Sequence, residues 1–163
     1  KIRTASAGDG VRKAGKKMHV ILCADDRNGM MFHRRRQSRD RAVLEDIEKL
    51  RAGKKLLMNK YSDKMFSEYG YSDHETFESS EAALTAAGED DFCFLEDISP
   101  AAHRGRIGSI VIYRWNRHYP SDLRIEGDLL DGWAAVERMD FEGNSHEKIT
   151  REIFERQCGR RTG

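Results

Sequence analysis

Four apolar runs of strand length, interleaved with stretches of helical periodicity, limit this chain more than any other feature of its sequence. The first, "MHVILCADD" from Met18, ends in acids and the turn signal "RNG". "KKLLMNK", "DFCFLED" and "GSIVIYRWN" follow it, the last rich in the β-branched and aromatic residues that suit a buried pleated surface. Between the first two runs, Val43, Leu44, Ile47 and Leu50 fall on one helix face, and Gly53 follows as the stop. Ser38 fits the N-cap, which puts Asp40 in the first turn, where the helix dipole favours an anion. "YSDKMFSEYG" predicts a short helix capped by Ser62 and ended by Gly70. After a loop at "YSDHETFES", "SEAALTAAG" predicts another, closed by Gly88. "SPAAHR" carries the Ser-Pro pair of an N-cap and a first helical position. This alternation predicts an α/β domain whose central sheet is mostly parallel.

Beyond Trp115 the pattern changes. "DGWAAVERMDFEG" and "KITREIFER" leave little room for helices and predict a hairpin-like, antiparallel C-terminal edge. The last segment carries a competing local signal. Asn144 and Glu147 match a capping box, and Ile149 and Ile153 are four apart, so local reasoning prefers a helix there.

A chain of 163 residues suffices for one core and one domain. Its 29 basic and 28 acidic residues leave a net charge of +1, so no global field draws it to nucleic acid or membrane. Residues 1–17 hold six cations (Lys1, Arg3, Arg12, Lys13, Lys16, Lys17) and only Asp9, a charge of +5, which leaves −4 for the rest. We read 1–17 as a flexible basic arm or leader, 18–157 as the domain and 158–163 as a tail. No secretory h-region and no run long enough to span a membrane occurs. Three widely spaced cysteines, Cys23, Cys93 and Cys158, predict reduced thiols and a cytoplasmic protein. No HExxH, HxH, paired CxxC, GxSxG or Walker A pattern is present, so no metal centre is expected.

Arg34, Arg35 and Arg36, with Arg39 and Arg41, form the densest positive charge in the chain. Arginine forks match phosphate or carboxylate, and Gln37, Ser38 and the free N–H groups of a helix mouth add donors for an anion. The same cations can be neutralised from within by Asp25, Asp26, Glu96 or Asp97, and both readings stand at this level. Tyr113 and Trp115 share a strand face and are expected in the core, although with Arg114 they could also stack on a ring. His118 and His146, in turn-rich contexts, are expected to face solvent rather than to move protons.

Taken together, these pieces resemble the dihydrofolate reductase family from Met18 to about Arg156. "VILCADDRNGM" is similar to the family's first strand and the turn into its mobile loop. "RAGKKLLMNKYSDKMF" resembles its Met-Gly-Arg-x-Thr strand and short helix, and "ESSEAALTAAGEDDFCFLED" the helix and strand before the cofactor glycines. "DGWAAVERMDFEGNSHEKITREIFER" resembles its last two strands, including the Asn-Ser-His. The resemblance implies a dihydrofolate-reductase-like three-layer domain, with the final segment a strand despite its periodicity. It also implies NADPH as cofactor, flanked at the nicotinamide by the backbone near Ala24 and Gly29, with Asn59, Lys60, Tyr61 and Ser62 at the phosphates. Asp40 falls close to the acid that supports protonation of a pterin ring and is the candidate catalytic residue.

The departures from the family are concentrated at that cofactor site. The Pro-Trp after the mobile loop is replaced by "HRRRQSRD", and the glycine pair by Glu96-Asp97, whose side chains obstruct and whose charges repel a pyrophosphate. Asn59-Lys60 replaces Gly-Arg, and the 2′-phosphate segment is shortened. The expectation is a scaffold that binds a small phosphorylated or nucleotide-like anion through Arg34, Arg35, Arg36, Gln37, Ser38 and Arg39. The alternatives are an NADPH-dependent reductase of a pterin-like heterocycle, or an RNA binder using the arginine loop and the basic arm. Oligomeric state has no signature in the sequence.

Overall fold

The computed structural model describes residues 17–157; all of the 1–17 arm except Lys17, and the tail from Cys158, lie outside them. Strand β1 (Met18–Ala24) is the centre of a seven-stranded sheet, with β6 (Phe92–Phe94) and β7 (Ile107–Arg114) parallel to it on either side. Beyond β6 lie β4 (Leu56–Asn59) and then β5 (Glu75–Phe77), also parallel. Beyond β7 lie β10 (Ile149–Arg156), antiparallel to it, and β9 (Trp133–Phe141), antiparallel to β10. The mostly parallel sheet with an antiparallel C-terminal edge is therefore present, and the last element is a strand. Its helical spacing loses to the pairing available on both sides, since β10 runs between β7 and β9.

Side chains alternate across the sheet and divide the core in two. Val20, Leu22, Ile110 and Ile112 pack with Ala83 and Leu84 of helix α3 (Ser80–Ala86). Ile21, Phe94, Val111 and Tyr113 pack with Val43, Leu44 and Ile47 of α1 (Arg41–Arg51) and with Met65 and Phe66 of α2 (Lys60–Glu68). Helices on both faces give three layers, with Tyr113 and Trp115 in the core as expected. Free Cys23 and Cys93 also sit there; burial pushes the Cys93 thiol up to about 12 and raises Cys23 as well, so both are poor nucleophiles at neutral pH.

Several local expectations are corrected. Asp40, not Ser38, is the N-cap of α1, accepting from the Ala42 N–H at 2.9 Å. Asn59, not Ser62, caps α2, accepting from the Ser62 N–H at 2.8 Å. The Ser-Pro segment forms a 3-10 turn, Ala101–Arg106, with Pro100 rather than Ser99 at the cap position, although Ser99 Oγ accepts from the Ala101 N–H at 3.3 Å. The predicted loop at "YSDHETFES" contains the edge strand β5. Among the described residues no helix is long and apolar enough to cross a membrane.

Candidate functional site

Ala24 ends β1, and Asp25 turns the chain. Asp25 is fully buried, and its carboxylate accepts from the N–H groups of Arg27 (2.8 Å), Gly29 (2.7 Å) and Tyr119 (3.1 Å) and from Gln37 Nε2 (3.1 Å). Burial pushes this carboxyl up, but the four donors outweigh it and hold it below the usual range. The turn has no room for a side chain at Gly29, where a Cβ would lie 2.6 Å from Gln37 Nε2 and 2.7 Å from Ser121 Cβ. Ala24 and Gly29, the backbone implied for a nicotinamide, also have their carbonyls engaged, by the N–H groups of Trp115 and Asp25.

The arginine run is not at a helix mouth. It lies on a hairpin of β2 (Gly29–Phe32) and β3 (Arg35–Arg36), in a small antiparallel sheet completed by β8 (Leu123–Arg124). Phe32 pairs with Arg35, so His33 and Arg34 form a two-residue loop, both with positive φ (52° and 63°). That loop geometry usually selects Asn-Gly or Gly-Gly. Here His33 is held by stacking on Phe32 at 3.8 Å and by donating its N–H to Asp122 at 3.0 Å. Arg34 and Arg35 are exposed and, among the described residues, have no carboxylate within ion-pair distance.

Arg36 points the other way. Its Nε and Nη2 fork onto Glu96 at 2.7 and 2.9 Å, its guanidinium lies 4.4 Å from the Tyr61 ring centre, and Ser62 Oγ donates to the same carboxylate at 2.7 Å. The pair sits at the carboxyl end of β6, where the reductase resemblance places a glycine pair. Next to it Asp97 accepts from Ser80 Oγ (2.5 Å) and Asn59 Nδ2 (3.3 Å). Lys60 is exposed and pairs with Glu78 at 2.8 Å, and Arg39 pairs with Glu68 at 2.9 Å. Of the four phosphate candidates, Asn59 and Ser62 are buried and Lys60 lies outside the cleft lining, which only Tyr61 joins. Tyr61 lines this cleft of about 420 Å³ with Met31, Arg34, Asp97, Asp122 and Leu123, at the carboxyl ends of the parallel strands, where open α/β sheets bind ligands.

Asp40 lies apart from this cleft. It is 2% exposed and accepts five hydrogen bonds: the N–H groups of Ala42, Asn144 and Ser145, Ser145 Oγ, and His146 Nδ1 at 2.9 Å. Burial pushes the carboxyl up, yet the donors from Asn144, His146, Ser145 and Ala42 prevail and hold it far below the ordinary aspartate value. His146, expected in solvent, is 4% exposed and stacks on Trp115 at 4.7 Å. Gly143 lets the loop close, because a Cβ there would meet Asp40 Oδ2 at 2.6 Å and the His146 carbonyl at 2.9 Å. Gly143→Ala is expected to cost about 1–3 kcal/mol through overpacking; a parent-like melting temperature by circular dichroism would show that the loop yields instead.

No family model matches the sequence, and no curated protein does. Among solved structures, a dihydrofolate reductase from Enterococcus faecalis, in complex with NADP(H) and RAB-propyl, aligns with a TM-score of 0.61 over 86% of this chain and 96% of its own, at 8% identity. This chain has the dihydrofolate reductase fold. On that fold, the resemblance seen in the order and spacing of weak motifs holds for architecture. Among the described residues no group of three or more His, Cys, Asp or Glu is placed to hold a metal ion. The sequence reading missed the Asp40–His146 pair, although "NSH" and the acid were each noted. Only a pairing across 106 positions joins them.

Proposed function

We propose that the protein binds a small phosphorylated or nucleotide-like anion in the cleft beside Tyr61, on a scaffold no longer arranged for hydride transfer. Arg34 carries this reading. It is a cation in the cleft wall, held at positive φ in a loop that favours glycine, and no carboxylate pairs with it among the described residues. Backbone strain of this kind persists where the surroundings impose it and collects at ligand clamps. Tyr61, 37% exposed, offers a ring face for stacking, and Asp97 and Asp122 offer acceptors for ring N–H groups. Arg36 and Glu96 fill the place where a nicotinamide and pyrophosphate need bare backbone.

The test is calorimetric titration with ATP, NADPH and a short RNA at two salt concentrations, on the parent and on Arg34→Ala. Saturable ATP binding that weakens about tenfold or more in the variant is expected, since a charge-assisted bond to phosphate contributes about 1.5–3 kcal/mol. Binding unchanged in Arg34→Ala removes the proposed site. NADPH bound far more tightly than ATP would restore the reductase reading. Binding to RNA alone, falling steeply with salt, would transfer the arginines to a nucleic-acid surface.

A further inference from the structure

The line Asp40–His146–Ser38 has no role in anion binding at the cleft. We infer that Ser38 is an activated nucleophile and that the protein cleaves esters of small carboxylic acids by acyl transfer. An ionised carboxylate only accepts, so the hydrogen between Asp40 Oδ2 and His146 Nδ1, 2.9 Å apart, belongs to the imidazole. That fixes the tautomer and leaves Nε2 as the acceptor, 2.9 Å from Ser38 Oγ. Nucleophile to base and base to buried orienting acid are thus both within hydrogen-bond reach, which is the recurring geometry of an activated serine on unrelated folds. The stack on Trp115 and the contact with Ser145 Oγ (3.2 Å) hold the ring in place.

Accessibility follows the same logic. His146 and Asp40 are buried, whereas Ser38 is partly exposed in the segment before α1 and reachable by a substrate. The Tyr119 hydroxyl stands 3.2 Å from Nε2 and 3.5 Å from Ser38 Oγ, so a phenolic donor is available beside the reacting oxygen for a developing oxyanion. A helix cap alone accounts for none of this, because Asp40 caps α1 through Ala42 without help from His146 or Ser38.

In the first step Ser38 Oγ bonds to the ester carbonyl carbon while its proton passes to Nε2. The ester C–O bond then breaks, and the leaving alkoxide takes that proton. Water next attacks the acyl-serine, gives a proton through Nε2 to Oγ, and releases the carboxylic acid.

The experiment incubates the intact protein with a fluorophosphonate, maps the adduct by peptide mass, and follows p-nitrophenyl acetate hydrolysis in parallel. A single adduct on the peptide bearing Ser38 is expected, formed with loss of fluoride. It should be absent in Ser38→Ala and at least about a hundredfold slower in His146→Gln, the scale of general-base assistance. No adduct, an adduct on another peptide, or an undiminished rate in a folded His146→Gln protein overturns the inference. The peptide map uses the unaltered chain, so it decides even if a variant does not fold.

Discussion

Glu96→Ala is expected to lower the free energy of unfolding by about 3–5 kcal/mol, measured by urea denaturation. The substitution removes both bonds to the Arg36 guanidinium and the acceptor of Ser62 Oγ. Arg36 keeps only the Tyr61 ring and a long bond to the Tyr61 carbonyl. Taking one member from a buried pair is costly because the other charge stays desolvated, and attraction lost is the smaller part of the penalty. The double variant Arg36→Met with Glu96→Leu should therefore recover most of the loss. A single variant within about 1 kcal/mol of the parent would mean that water reaches the pair and hydrates Arg36.

Asp40→Ala is expected to cost a similar amount, about 3–5 kcal/mol. A lost N-cap accounts for about 1 kcal/mol, and the buried donors of Asn144, Ser145 and His146 each lose an acceptor. The effect has a pH signature. The folded carboxyl titrates below its unfolded value, so its contribution is fully present above about pH 4 and is lost as pH falls through the folded value. Asp25 shifts in the same direction and adds to acid sensitivity in the same window. Urea midpoints from pH 7 down to pH 2 should fall less steeply below pH 4 in Asp40→Asn than in the parent. Parallel curves would assign the acid loss to other carboxylates.

The parts of the fold legible in the sequence were those whose strands are buried on both faces. β1, β4, β6 and β7 read as apolar runs because helices cover both sides of them. β5, only Glu75, Thr76 and Phe77, is an edge strand with two exposed residues and carries no such run. The hairpin that presents the arginines was hidden for a different reason: its loop uses His33 and Arg34 where composition signals ask for Asn or Gly. The sequence showed a dense positive cluster and foresaw an internal partner in Glu96. It could not say that Arg36 turns inward while Arg34 and Arg35 stay out, because alternation along a strand becomes visible only once the strand is recognised. Ser38 and Asp40 were both noted at the helix start, but their link to His146 depends on tertiary closure.

That closure has a temporal side. The loop that takes hold of Asp40 is made more than a hundred positions after it. When all five parallel strands have left the ribosome, the central layer has its full set of helices, yet the mouth of α1 is still wet and its carboxylate holds only the Ala42 N–H. Contacts of such sequence separation form slowly, and a nascent chain holding an unfinished sheet is the species most exposed to misassembly. The strand that ends this interval is β10, which inserts between β7 and β9 just after the Asn144–His146 loop has been made.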